Sequence, residues 1–273
     1  MDPRIQRACC AVMFALAAVL GACGGGGSGD TPQPRTETVG QVVNTTLKAS
    51  SNGHTYPVRV YLPQSYAAGT TALPVIYATE GDAPYGSFGS SRFDAFKEAM
   101  QRRGTQAILV GIGGTERRGT DFLLPGATQY LEFITKELAP SIERQYRADP
   151  KRRALSGLSH GGYFVVAALV LEGQSAATLS FSHYLSTEAS VGGHGDLGGL
   201  LAFERQVDGR PLPTTLFLSG ARNGNAAVIG APLHAQMESH AHAGLTLLKA
   251  EYDTTHVGAD LPVFEEALAR FFP

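Results

Sequence analysis

The chain has 273 residues, a formal net charge of −2 and 43 % hydrophobic residues. That is enough apolar material for one sizeable core. The near-neutral charge leaves no basic footprint for nucleic acid. All three cysteines, Cys9, Cys10 and Cys23, lie near the start, so the remainder can have neither a disulfide nor thiol chemistry.

In chain order, Arg4 and Arg7 precede an apolar run over 8–20 that ends in Leu20-Gly21-Ala22-Cys23. A basic start, a short apolar core and small residues before a cut make a secretory signal. The run is short for a permanent membrane span. With its terminal cysteine it resembles a bacterial lipoprotein signal, which implies cleavage after residue 22 and lipidation of Cys23. Residues 23–38 then form a tether, because Gly24-Gly25-Gly26-Gly27-Ser28-Gly29 has nothing apolar to bury. The expected location is the cell envelope, with the protein lipid-anchored. Gly24 in place of an aspartate points by resemblance to the outer membrane, on either the periplasmic or the surface face.

Residues 39–273 read as one domain. Strands are expected at 41–48, 56–62, 73–78, 107–112, 153–156, 178–185, 214–219 and 245–251, the first two forming an antiparallel pair around Ser51-Asn52-Gly53. Helices are expected at 92–102, 128–144, 161–171, 226–243 and 261–271. Tyr130, Phe133, Ile134, Leu138 and Ile142 make one buried helical face. Alternation of strands and helices predicts a mostly parallel sheet of about eight strands covered on both faces.

Leu155-Ser156-Gly157-Leu158-Ser159-His160-Gly161-Gly162 joins the fifth strand to an apolar helix. A Gly-x-Ser-x-Gly turn in that setting reads as a nucleophile elbow, with Ser159 on a tight bend and small neighbours that let the backbone pass. Eight strands with the elbow after the fifth is the order of an α/β-hydrolase. The base that activates such a serine stands after the last strand, where Asp253-Thr254-Thr255-His256 lies, so His256 is the expected general base and acid.

The third member is open. No carboxylate follows the seventh strand in Ser219-Gly220-Ala221-Arg222-Asn223-Gly224-Asn225. Asn223 or Asn225 could accept the histidine N–H, Glu188 could reach in from the loop after the sixth strand, or a Ser–His pair could suffice. The pair or an asparagine ranks above Glu188. Oxyanion donors are expected from the backbone N–H of His160 and of Gly81 or Asp82. His240-x-His242 beside Glu238 does not place two ligands on one helical face, so no metal and no other cofactor is expected.

From about Tyr56 onward the chain resembles the esterase family that includes trilactone siderophore (enterobactin-type) esterases. The resemblance rests on the segments 74–82, Val110-Gly111-Ile112-Gly113, Arg118-Gly119-Thr120-Asp121-Phe122, Glu137-Leu138-Ala139-Pro140, the Ser159 elbow and His256. It implies a serine carboxylic-ester hydrolase acting on a small-molecule ester, with Arg118 at the active-site mouth, as a monomer. The family's usual carboxylate after the seventh strand is missing, although its siderophore branch is noted for Ser–His pairs. The Ser-Pro-Ser and tryptophan segment of relatives is replaced by Ser186-Thr187-Glu188-Ala189-Ser190, in a chain without tryptophan. An acyltransferase, as among the mycolyl transferases of the same superfold, and a non-catalytic binding lipoprotein remain alternatives.

Overall fold

A computed structural model describes residues 40–86, 89–175, 178–190 and 197–273. The expected signal, Cys23 and the tether lie outside the described residues. Eight strands form one sheet: β1 Gln41–Lys48, β2 Thr55–Leu62, β3 Leu73–Ala78, β4 Ile108–Ile112, β5 Ala148–Leu158, β6 His183–Thr187, β7 Thr215–Ala221 and β8 Thr246–Tyr252. Their spatial order is β1-β2-β4-β3-β5-β6-β7-β8. The pairs β1/β2 and β2/β4 are antiparallel and every other pair is parallel.

Side chains alternate across a strand, so one strand feeds two cores. On β3, Val75 and Tyr77 enter the larger core, while Ile76 and Ala78 enter the smaller. The smaller core lies against α1 (Arg92–Arg103) and α8 (Asp260–Phe271), which contribute Phe93, Phe96, Val263 and Phe264. The short α2 (Arg118–Asp121) leads into α3 (Gly126–Glu132), which runs through a wide turn of helix, Phe133–Leu138, into α4 (Ala139–Gln145). The five apolar residues expected on one helical face are buried in the larger core there. Helix α5 (His160–Ser175) packs on the same side, and α7 (Ala231–His240) adds Leu233 and Met237.

Three elements depart most from expectation. β5 begins at Ala148 rather than 153, and its pairing with β3 shifts register between Leu73 and Val75, an irregularity that lets Asp149, Pro150, Lys151 and Arg152 sit within the strand. β6 begins only at His183, since Ser180 gives its N–H to the Glu172 carboxylate rather than to a neighbouring strand. Helix α6 (Leu197–Glu204) was not expected, because Leu-Gly-Gly-Leu-Leu carries two glycines that weaken a helix. Among the described residues no helix is long and apolar enough to cross a membrane.

Candidate active site

Parallel strands deliver their C-terminal ends to one edge of the sheet, and the loops there form the site. β5 ends at Leu158, and Ser159 turns the chain into α5 with φ of +60°. An L-residue adopts this left-handed conformation only under constraint. Three backbone bonds hold it: Ser159 N–H donates to the Thr187 carbonyl, while the Ser159 carbonyl accepts from Tyr163 and Ser190. The glycines are sterically required. A Cβ on Gly157 would overlap the Gly161 carbonyl, and one on Gly161 would stand 2.6 Å from Thr79 Oγ1. His160 opens α5, so its amide belongs to the positively polarised end of the helix.

His256 follows β8, and its Nδ1 lies 2.7 Å from Glu188 Oε2. A carboxylate only accepts, so Nδ1 carries the proton and Nε2 keeps its lone pair. Glu188 is fully buried, directly after β6, in a left-handed conformation with φ of +49°. Its N–H continues the sheet by donating to the Ser219 carbonyl at 2.7 Å. Its Oε1 accepts from Ala221 N–H at 2.6 Å, and Oε2 accepts from Asn225 N–H at 3.2 Å. The carboxylate occupies space left by Gly220 and Gly224, where any Cβ would strike it.

The loop after β7 is therefore the receptor of the acid rather than its source. This corrects the ranking made from sequence. Asn225 binds Glu188, through both its backbone N–H and its Nδ2, and not His256. Asn223 is exposed in the turn. The legible signal was the pair of glycines flanking Ala221-Arg222-Asn223.

The amide of Gly81 donates to the Ile112 carbonyl at 2.8 Å, so it is not available to an oxyanion in this conformation. Its place against β4 is steric, since a Cβ would meet the Gly111 backbone at 2.8 Å. The Asp82 carboxylate accepts from Gly114 N–H at 2.9 Å and from Thr115, fastening the loop after β4.

Glu80 had no sequence-derived role. It is buried, stands in a left-handed conformation with φ of +54°, and has Oε1 3.2 Å from Arg118 Nε. Burial pushes its carboxyl up to about 7, against the opposing pull of Arg118 and Arg92. Arg117, by contrast, pairs with Asp121. Arg92 is wholly buried below the site, bonded in a bidentate pair to Asp260 at 2.7 and 2.8 Å and donating to the Thr79 carbonyl. It fixes the turn after β3 to the start of α8.

Ser159, His256, Glu80 and Arg118 line one cleft of about 220 Å³, with Tyr85 and Val257 among its apolar walls. A serine on a strained turn beside a histidine whose far nitrogen is anchored by a buried carboxylate is equipped for nucleophilic acyl chemistry. His240 and His242 gather instead around Glu204, away from Glu238, which faces His234 at 3.8 Å.

The sheet order, the elbow after β5 and the histidine after β8 define an α/β-hydrolase. The family described as "Putative esterase" matches residues 49–244, well over half of the chain, and the chain belongs to it. It is 25 % identical over 170 residues to the ferri-bacillibactin esterase BesA of Bacillus subtilis, a match spanning 53 % of this chain and 57 % of that enzyme. Among solved structures it is similar to the siderophore hydrolase EstB of Aspergillus nidulans, with TM-score 0.68, 20 % identity and coverage of 85 % and 95 % of the two chains. It is likewise similar to an IroE-like serine hydrolase of Shewanella oneidensis, with TM-score 0.67, 23 % identity and coverage of 83 % and 78 %.

Proposed function

We propose that this chain is a serine carboxylic-ester hydrolase whose triad is Ser159, His256 and Glu188. The observation that carries the reading is the buried Glu188 carboxylate 2.7 Å from His256 Nδ1, in the site that also holds the strained Ser159. Ser159 Oγ attacks the ester carbonyl while its proton passes to His256 Nε2, and Glu188 stabilises the imidazolium that forms. The tetrahedral oxyanion is held by the amide of His160 and a second donor in the turn after β3, where Asp82 is the remaining candidate of the expected pair. Collapse expels the alcohol with the proton from His256. Water then attacks the acyl-enzyme by the reverse proton route and regenerates Ser159.

The substrate is a small-molecule ester, a siderophore being the class to which the relatives' names point. Arg118, half-exposed and tethered to Glu80, is the polar contact for it at the cleft mouth. The leader supports export, cleavage and lipidation at Cys23, and with them a lipid-anchored location in the cell envelope, at the outer membrane.

The test is turnover of p-nitrophenyl acetate, butyrate and octanoate by the chain beside Ser159→Ala and His256→Ala. Hydrolysis lost in both variants supports the reading, and a preference for the shorter esters fits a 220 Å³ cleft. Turnover equal in all three proteins refutes it. Radiolabelled palmitate incorporation lost in Cys23→Ser tests the anchor.

A further inference from the structure

Three groups outside the catalytic cleft converge where two helices end. Glu204 is the last residue of α6, and His240 is the last residue of α7. His242 follows two residues later, after Ala241 has turned the chain in a left-handed conformation with φ of +48°. This turn is why the pair escapes the rule that residues two apart on a helix face apart: the helix stops between them. Alanine takes such a conformation only under constraint, whereas glycine adopts it freely.

The result is a compact set of donors. Glu204 Oε1 lies 3.0 Å from His240 Nδ1 and 2.9 Å from His242 Nε2. The side chains of Glu204 and His242 are fully buried, and that of His240 is partly exposed. The two imidazole planes stand 87° apart, approaching the carboxylate from separate directions. The surroundings of these donors are also in place. His242 Nδ1 is 3.1 Å from the Arg210 carbonyl, which can only accept, so Nδ1 keeps a proton, and Nε2, facing the Glu204 carboxylate at 2.9 Å, is the nitrogen that would release its proton to ligate. Glu204 Oε2 is held by Gln236 Nε2, which also donates to the Leu201 carbonyl.

We propose that Glu204, His240 and His242 bind one zinc(II) ion, with water in the fourth position. Two imidazoles and a carboxylate suit a borderline ion such as zinc better than calcium or magnesium, which prefer all-oxygen sets. Tetrahedral zinc with bonds of about 2.0–2.1 Å keeps its ligand atoms roughly 3.3 Å apart; the three donor atoms lie within 4.8 Å of one another, two of the pairs at 2.9 and 3.0 Å, so the rings turn outward to admit the ion. The negative ends of the α6 and α7 dipoles favour a cation there. An open groove with Met237 and His242 in its wall lies beside the cluster. The ion would clip α6 to the turn between α7 and β8 and act on stability rather than on ester cleavage.

The test uses the full chain, without an affinity tag of histidines and with Cys9, Cys10 and Cys23 changed to serine to remove competing thiols. After chelator dialysis, zinc(II) is titrated against a chromophoric chelator, and metal content and Tm are measured in parallel. The expected result is one zinc per chain and a Tm several degrees higher in its presence. Affinity should fall by 10-fold or more in His240→Ala and in Glu204→Gln, each confirmed folded by circular dichroism, and stay unchanged in His234→Ala. Cobalt(II) in place of zinc should give the visible absorption of a tetrahedral site, lost in the same two variants. Uptake below one equivalent, or uptake and Tm shift equal in the wild-type chain and the two variants, would overturn the proposal.

Discussion

Glu188→Gln isolates the acid of the proposed triad with almost no change in shape. The carboxylate takes Ala221 N–H on Oε1 at 2.6 Å, and both Asn225 N–H and His256 Nδ1 on Oε2. A glutamine cannot reproduce this set. With its oxygen towards Ala221, its NH₂ faces the Asn225 amide and forces the His256 proton to Nε2, the nitrogen that must accept from Ser159. With the amide reversed, its NH₂ meets Ala221 N–H at 2.6 Å, donor against donor. In both orientations the imidazolium also loses its buried countercharge. Loss of such an orienting acid lowers kcat by roughly 10³–10⁴-fold, about 4–5.5 kcal/mol of transition-state stabilisation. KM for p-nitrophenyl butyrate should stay within about threefold, because Glu188 is buried behind the histidine. Steady-state kinetics with thermal melts for both proteins is the assay, with Asn223→Ala as a control expected to retain activity within about twofold. A kcat loss below tenfold in a folded Glu188→Gln protein would refute the triad and restore the Ser–His pair.

Other consequences follow from groups around the site. Burial lifts the Glu80 carboxyl to about 7 from 4.5, so the folded protein keeps a proton that the unfolded chain has released. The associated stability is full below about pH 4.5 and is lost as pH rises through 7, a loss of roughly 3 kcal/mol. Glu80→Gln should therefore match the wild type in urea melts at pH 4.5 and exceed it at pH 8.5, and parallel stability curves would contradict this. Arg92→Met leaves Asp260 charged and buried without its bidentate partner, which should cost about 3–5 kcal/mol in the same melts. Gly157→Ala drives a methyl into the Gly161 carbonyl, where backbone on both sides must move. The elbow should shift, and esterase activity should fall further than Tm accounts for.

What could be read from the sequence was local. The two glycines of the elbow and the apolar strand and helix on either side identify Ser159 because the bend is made within five residues. Strands β1 and β3 fall at their expected bounds, β1 as a β-branched run ahead of Ser51-Asn52-Gly53 and β3 as a short apolar run that stops before Thr79-Glu80-Gly81. The third member stayed open among Asn223, Asn225, Glu188 and none, because its assignment depends on which strand lies beside β6. Glu188 is an ordinary residue in its own loop; only the glycine-bordered hollow across β7 makes it the partner of His256. The same holds for Glu204, which meets His240 and His242 through a helix that its own glycine-rich sequence does not announce. Gly81 illustrates the opposite error. Its lack of a side chain serves a close approach to Gly111, and its amide is spent in the sheet.

The most direct test of a serine-centred acyl-enzyme is covalent labelling. The chain is treated with a fluorophosphonate and digested, and the modified residue is found by mass spectrometry, with His256→Ala and Glu188→Gln treated alongside. The account predicts one adduct, on Ser159, formed quickly in the wild type and much more slowly in both variants. An adduct elsewhere, or equal labelling rates in all three proteins, would contradict it.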